Sequence, residues 1–229
     1  MTLITKVQPS IIAVDRQQFQ TRMGWFLTGF KYCHLDAMIP PYVENNSLNS
    51  RDLGGVLDEC ETEVRFGLHI MGEHPINFLD VFFPKDLLDR TDTVIVHYEI
   101  DGKELRDSAR RIKEMGKRFG LAIKVETSVE QVFRDFPEFL EYVDEVVVMT
   151  VDICAYGAKF QNDPLVKLNQ LRRAGFKGTL GIDGGIKPET IGYVAPVYPH
   201  YVVVGSHLQK AFDKLGAAKY LQERLDTGN

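Results

Sequence analysis

The sequence predicts a single (β/α)8 TIM barrel over residues 1–229. Three observations support this fold class. Short apolar, β-branched runs alternate eight times with amphipathic, charge-rich stretches, within about the length that eight strand–helix units need. The runs are apolar at nearly every position, as expected of parallel strands that are covered on both faces. Polar residues recur at the carboxyl ends of the runs, where barrel enzymes carry their active sites.

The eight apolar runs give the predicted strands. Their bounds are residues 7–14, 31–38, 64–71, 92–98, 121–126, 145–151, 179–182 and 201–204. The Pro- and Asn-rich segment 39–49 that follows the second strand is long enough to form a lid. An open doubly wound sheet is the competing fold, but no G-x-G-x-x-G follows the first strand. No linker or low-complexity segment divides the chain, so one domain is expected.

Amphipathic stretches between these runs predict the helices. Their bounds are residues 15–26, 50–60, 75–89, 103–119, 128–142, 164–174, 188–194 and 207–224. Asp15 is the expected N-cap of the first helix, and Gly120 is the expected terminator of the helix over 103–119. Pro84 and Pro137 should interrupt the helical stretches in which they lie, because proline cannot donate the backbone hydrogen bond.

Composition and charge exclude several classes of partner. The net charge of −5 disfavours a nucleic-acid backbone, although backbone amides can still bind small anions. No apolar run approaches the roughly 20 residues of a membrane span, and the N-terminus has no signal-peptide core. Cys33, Cys60 and Cys154 are scattered and include no C-x-x-C pair, which disfavours a disulfide framework and indicates the cytoplasm.

The end of the second strand combines an imidazole and a carboxylate. Alternation along a strand places His34 and Asp36 on one face. Such a pair is suited to a metal ion or to proton transfer, whereas the simpler interpretation is a polar strand end that faces water. His69 and Asp183 stand at the carboxyl ends of the third and seventh strands.

Four such groups converging on one ring would be costly to bury without partners. A metal ion bound by all four removes that cost, and two imidazoles with two carboxylates suit Zn²⁺, Fe²⁺, Mn²⁺ or Co²⁺. The other side chains at the strand ends are Ser10, Met38, Met71, His97, Met149 and Asp152.

Glycines after the last two strands indicate a phosphate site. Gly184-Gly185 follows the seventh strand, and Gly205-Ser206 follows the eighth. Loops at these positions of a barrel bind phosphate through backbone N–H groups, and small residues let the backbone approach the anion. The alternative is a pair of ordinary βα turns, in which glycine is also common.

These motifs together resemble the ribulose-phosphate 3-epimerases, and the resemblance covers nearly the whole chain. It is carried, in order, by Pro9-Ser10-Ile11-Ile12, His34-Leu35-Asp36-Ala37-Met38, Leu68-His69-Ile70-Met71, Val96-His97, Val148-Met149-Thr150-Val151-Asp152, Asp183-Gly184-Gly185-Ile186 and Val204-Gly205-Ser206. The resemblance implies a TIM barrel of the ribulose-phosphate-binding type that inverts C3 of a ketopentose 5-phosphate. It also implies one divalent transition metal.

Residue roles follow from the same resemblance. It implies that His34, Asp36, His69 and Asp183 are the metal ligands, and that Asp36 and Asp183 are also the acid/base pair. The implied substrate-binding residues are Ser10, Met38, Met71, Met149, Gly157, Gly184, Gly185, Gly205 and Ser206. Ser10 would contact the substrate, the methionines would line the reacting carbons, and the glycines with Ser206 would hold the phosphate.

Two loops differ from the family pattern. Residues 39–45 replace its usual Asp-Gly and aromatic-Val-Pro-Asn run, and residues 152–158 replace a glycine-rich Asn-Pro-Gly-Phe-Gly-Gly-Gln loop. The resemblance makes D-ribulose 5-phosphate the first expected substrate. Because both loops close over the sugar in that family, their difference here makes a ketohexose 6-phosphate the second. A barrel that binds sugar phosphate without turnover is a further alternative. A homo-oligomer is expected.

Overall fold

Eight parallel strands close into a barrel in chain order, from β1 to β8. The computed structural model describes residues 6–26, 29–44, 46–47, 63–153 and 158–228. The strands are β1 (Val7–Ile11), β2 (Tyr32–Met38), β3 (Arg65–Met71), β4 (Thr91–His97), β5 (Arg118–Ile123), β6 (Glu145–Met149), β7 (Thr179–Asp183) and β8 (Tyr201–Val204). Closure is completed where β1 pairs with β8, with Val7 opposite Val202. The predicted barrel is confirmed, and an open doubly wound sheet is excluded.

The helices lie between the strands along the chain. They are α1 (Arg16–Phe26), α2 (Pro75–Asn77), α3 (Lys85–Asp89), α4 (Gly102–Glu114), α5 (Val129–Asp135), α6 (Phe139–Tyr142), α7 (Val166–Arg173), α8 (Ile191–Val194), α9 (Ser206–Lys210) and α10 (Lys214–Thr227). A π-helix (Phe78–Phe82) follows α2, and 3-10 turns (Asp163–Leu165 and Ala195–Val197) adjoin α7 and α8. Among the helices of these described ranges, none has both the length and the apolar character needed to cross a bilayer.

Side-chain alternation divides the core into two layers. On β2, Cys33, Leu35 and Ala37 are fully buried in the large cluster between the barrel and its helices. Their neighbours His34 and Asp36 face the barrel axis, because successive side chains of a strand point to opposite faces. A smaller apolar cluster fills the barrel itself and consists of Ile95, Ala122, Val147, Met149, Tyr201 and Val203.

A polar cluster at the amino ends of the strands closes the other end of the barrel. The buried carboxylate of Glu145 accepts hydrogen bonds from the hydroxyls of Tyr201 and Thr93, the latter at 3.1 Å. Arg118 Nη1 lies 3.2 Å from the same carboxylate. These partners satisfy the buried carboxylate, so Glu145 has a structural role at this end of the barrel.

One helix boundary was predicted incorrectly. The helix expected over 103–119 ends at Glu114, and Gly116 adopts the left-handed conformation (φ 71°) that ends it. Gly120 instead lies inside β5 and packs against β4, since a Cβ there would come within 2.5 Å of Ile95 Cγ1. The fifth strand accordingly begins three residues before its predicted start.

The closing helix, expected over 207–224, is two helices. Asp213 interrupts it by capping α10, since its side chain accepts a hydrogen bond from the Gly216 N–H at 2.8 Å. The expected cap at Asp15 is confirmed by a 2.8 Å bond from the Gln18 N–H.

Several shorter differences remain at the ends of elements. The first strand ends at Ile11 rather than at residue 14, and the helix expected over 188–194 begins only at Ile191. Pro84 and Pro137 separate short helices as predicted. The predicted helix over 50–60, part of the segment 39–49, Cys60, Cys154 and Gly157 lie outside the described residues.

Candidate metal centre and its cavity

Four side chains from three strands meet inside the carboxyl end of the barrel. They are His34 and Asp36 of β2, His69 of β3 and Asp183 of β7. One potential ligand atom from each residue lies within 4.8 Å of one from every other. The convergence follows from strand register, because β2 and β3 pair with Asp36 opposite His69.

The separations within this cluster leave two imidazole nitrogens without hydrogen bonds. His34 Nδ1 lies 3.0 Å from Asp36 Oδ1. His69 Nδ1 lies 3.3 Å from Asp36 Oδ1 and 3.6 Å from Asp183 Oδ2. Within the described residues, His34 Nε2 and His69 Nδ1 are buried and have no hydrogen-bond partner. Each such group costs about 1–3 kcal/mol, and a bound cation would satisfy a lone pair that points at it.

Charge coupling within the cluster favours ionised groups. Burial raises the pKa of Asp36, but the adjacent His34 and His69 lower it by a larger amount. The pKa of Asp36 therefore lies well below its usual range. Burial lowers the pKa of His69, yet the nearby carboxylates of Asp183 and Asp36 raise it to about 9. Two carboxylates therefore favour positive charge at this point of the barrel. The donor set and the unpartnered nitrogens together fit a divalent transition metal.

A second row of polar groups supports the cluster. Ser10 donates a hydrogen bond to Asp36 Oδ2. His97 Nε2 lies 2.9 Å from His69 Nε2, and His97 Nδ1 lies 3.2 Å from Glu99 Oε2. Burial lowers the pKa of His97 to about 4, which keeps its imidazole neutral at neutral pH. Burial raises the pKa of Glu99, but His97, Thr127 and the Lys124 N–H lower it below the ordinary value, so its carboxyl is ionised.

Sequence reasoning noted His97 as a strand end without a role and missed Glu99 completely. The available signal was the spacing His-x-Glu at the end of the fourth strand, which repeats the His-x-Asp spacing of the second.

A cavity of about 450 Å³ opens above the cluster. Its walls include Ser10, Asp36, Met38, Met71, Met149, Asp183, Gly184, Gly185, Gly205 and Ser206. His34 and His69 lie outside this wall and are fully buried. All the predicted site residues in the described ranges therefore lie in the cavity or in the metal-ligand cluster, and Gly157 lies outside those ranges.

Glycine is required at one of the predicted phosphate loops and optional at the other. Gly184 has φ 117°, and a Cβ there would come within 2.5 Å of Val151 Cγ2. The Thr150 hydroxyl fixes this loop by donating to the Gly184 carbonyl at 2.6 Å. Gly205 has a negative φ, and a Cβ there would meet only Ser10, at 3.6 Å. A Cβ at Gly205 would therefore fit in the cavity wall at ordinary contact distances.

Helix α1 contributes two cavity residues that sequence reasoning missed. Gln18 and Arg22 are one helical turn apart and both line the cavity. Arg22 is half-buried, and it forms no hydrogen bond or ion pair with any other residue of the described ranges. The sequence signal was weak, because a single arginine in an amphipathic helix normally faces water.

Comparison with known proteins identifies the family. The profile of the Ribulose-phosphate 3 epimerase family matches residues 6–209. The chain belongs to this family. Ribulose-phosphate 3-epimerase of Eremothecium gossypii is 27% identical, and the match covers 96% of this chain and 92% of the relative. The same-named protein of Encephalitozoon cuniculi is 30% identical, with 86% and 83% covered. The resemblance inferred from the motifs is confirmed, and with it an epimerase family of pentose phosphate metabolism.

Solved structures agree on the fold. The 3-hexulose-6-phosphate synthase of Salmonella typhimurium has a TM-score of 0.70 at 21% identity, covering 98% of this chain and 100% of that chain. Orotidine 5'-monophosphate decarboxylase of Sulfolobus solfataricus has a TM-score of 0.61 at 16% identity, covering 98% and 99%. These similarities support the barrel alone.

Proposed function

We propose that this chain is a metal-dependent epimerase that interconverts D-ribulose 5-phosphate and D-xylulose 5-phosphate by inverting C3. The observation that carries the proposal is the cluster of two histidines and two aspartates under a cavity bordered by two glycine loops. Family membership supports the reaction class. The cavity is large enough for a sugar phosphate.

His34, Asp36, His69 and Asp183 would hold the metal, which would be Zn²⁺, Fe²⁺, Mn²⁺ or Co²⁺. When bound, the ion would stabilise the negative charge that develops on the oxygens of an enediolate. The two buried nitrogens without hydrogen bonds support this assignment, since both lie on proposed ligands.

Asp36 and Asp183 would carry the proton transfer. They come from β2 and β7, which are separated in the barrel by β1 and β8. Inversion needs a base on one face of C3 and an acid on the other, and two carboxylates can exchange these roles with the direction of reaction. The lowered pKa of Asp36 keeps it ionised, and the Ser10 hydroxyl orients it.

The remaining cavity residues would bind the substrate. Backbone N–H groups at Gly184, Gly185, Gly205 and Ser206 would hold the phosphate, and Gly157 is proposed to join them. The side chain of Arg22 supplies a cation in the same cavity. Ser10 would contact the sugar. Met38, Met71 and Met149 present apolar thioethers that would keep water from the reacting carbons.

A ketohexose 6-phosphate is the alternative substrate. The observation in its favour is the divergence of segments 39–45 and 152–158, since both follow strands that supply the cavity. A barrel that binds but does not turn over is disfavoured, because all four ligand positions are filled. The single domain, the homo-oligomeric state and the cytoplasmic location stay predictions.

One comparison tests the proposal. The purified protein is loaded with each of the four metals in turn, and kcat/KM is measured on D-ribulose 5-phosphate and on ketohexose 6-phosphates. We expect turnover with at least one metal and a preference for the five-carbon substrate. A preference for the six-carbon substrate would select the alternative, and inactivity with every metal and substrate would contradict an epimerase.

A further inference from the structure

A row of three side chains leads from Glu99, in the turn after β4, to the proposed metal centre. We call it the Glu99–His97–His69 row. Glu99 Oε2 lies 3.2 Å from His97 Nδ1, and His97 Nε2 lies 2.9 Å from His69 Nε2. His69 Nδ1 then faces the carboxylates of Asp36 and Asp183. Three of the four imidazole nitrogens therefore take part in hydrogen bonds within the row, and the fourth, His69 Nδ1, faces the two carboxylates.

The outer end of the row determines which nitrogens carry hydrogen. Glu99 Oε1 accepts hydrogen bonds from the Lys124 N–H at 2.8 Å and from the Thr127 hydroxyl at 2.5 Å. These two donors hold the carboxylate in place, and an ionised carboxylate can only accept. The hydrogen between Glu99 and His97 must therefore lie on His97 Nδ1.

The hydrogen on His97 Nδ1 fixes the next contact. A neutral imidazole with hydrogen on Nδ1 can only accept at Nε2. The hydrogen between the two imidazoles must then belong to His69 Nε2. In the neutral form of His69, which is the form that binds a metal, this order leaves the lone pair of Nδ1 directed at the cluster, where Nδ1 has no hydrogen-bond partner among the described residues.

Packing holds both imidazole rings in the orientation that these hydrogen bonds require. His69 and His97 stack with centroids 4.9 Å apart and planes at 27°. The ring of Tyr42 covers His97 at 5.3 Å. Both histidines are fully buried, so neither ring can turn towards solvent to exchange partners.

We infer that Glu99 and His97 are positioning residues that hold His69 in the tautomer with hydrogen on Nε2, so that Nδ1 is its ligand atom. The inference rests on the proposed metal centre and goes beyond its four ligands. Hydrogen bonds from ligating histidines to carboxylates are known to fix ring orientation and tautomer, and their loss typically lowers metal affinity by about 10- to 100-fold.

Glu99→Gln tests the inference with almost no change of shape. Its amide oxygen can keep both bonds to Lys124 and Thr127, which places the amide NH₂ group against His97 Nδ1. His97 must then carry its hydrogen on Nε2, pointing at His69 Nε2. The order of the row is reversed, and the tautomer of His69 that presents Nδ1 to a metal is disfavoured.

Thr127→Val is the matched control. It removes one hydrogen bond from the same carboxylate but leaves the carboxylate ionised and facing His97. If Glu99 acted only by general stabilisation, both variants would lower the melting temperature and neither would change the tautomers.

The experiment measures zinc affinity by competition with a chelator and assigns the tautomers of ¹⁵N-labelled histidines from long-range ¹H–¹⁵N correlation spectra. We expect wild type and Thr127→Val to carry hydrogen on His97 Nδ1 and His69 Nε2 when zinc is bound. Glu99→Gln should move the His97 hydrogen to Nε2 and weaken zinc binding by about 10- to 100-fold.

The outcomes separate this inference from the proposed function. A wild-type protein that carries the His97 hydrogen on Nε2 overturns the inference, whatever the variants do. Zinc binding by Glu99→Gln that equals wild type, with the same tautomers, also overturns it and leaves the metal centre intact. A wild type that binds no zinc at the cluster refutes the proposed metal centre and the inference with it.

Discussion

Gly205→Val should impair binding of the phosphate while leaving the barrel as stable as the wild type. A Cβ at Gly205 would meet only Ser10, at an ordinary contact distance of 3.6 Å, so the larger side chain extends into the cavity. There it would keep the phosphate from the backbone amides. Losing one hydrogen bond to a charged group costs about 1.5–3 kcal/mol, which corresponds to a rise in KM of about 10- to 150-fold.

Gly184→Ala is the contrasting variant from the other glycine loop. Its Cβ would come within 2.5 Å of Val151 Cγ2, on a backbone with φ 117°. Strain of this kind costs about 1–3 kcal/mol. In a chain of this size, each kcal/mol lowers the melting temperature by about 2–4 °C. This variant should therefore lose stability, which Gly205→Val should retain.

The assay compares KM for D-ribulose 5-phosphate with kcat/KM for unphosphorylated D-ribulose, together with melting curves for both variants. Gly205→Val should raise KM for the phosphorylated sugar and change turnover of the free sugar little. An unchanged KM would place the phosphate elsewhere. An equal loss on both sugars would show that the valine disturbs the catalytic groups rather than a phosphate site.

Three further predictions concern the other groups of the site. His69→Ala should lose bound metal and activity together while circular dichroism shows a folded barrel; full metal occupancy by elemental analysis would remove His69 from the ligand set. Asp183→Asn should abolish epimerisation in D₂O yet still exchange the C3 hydrogen of one epimer through Asp36; near wild-type epimerisation at full metal content would contradict the two-carboxylate mechanism. Arg22→Gln should raise KM for the phosphorylated substrate, and the ratio to wild type should shrink as ionic strength rises, since salt screens the cation; a ratio that is independent of salt would argue that Arg22 acts by packing alone.

The sequence by itself determined the fold and most members of the site. Eight runs that are apolar at nearly every position predict a parallel sheet that is covered on both faces, and their number and spacing favour the closed barrel. Once the barrel is accepted, position along a strand predicts neighbours in space. For that reason His34, Asp36, His69 and Asp183 could be grouped before any distance was known.

The tertiary structure decided what depends on contacts between distant segments. The sequence pattern could not show that Gly120 packs against Ile95 inside a strand, so the helix before it was drawn too long. Nor could it show that Arg22 lines the cavity, because an exposed arginine and a cavity arginine look alike on a helix.

The hydrogen-bonded row behind the metal centre also needed the structure. Glu99 is a sequence neighbour of His97, but only the folded barrel brings His97 of β4 to His69 of β3. Local patterns determine which face of an element is buried, because the period of a strand or helix is a local property. Which groups meet across the barrel depends on register and loop path, and these are fixed only when the whole chain packs.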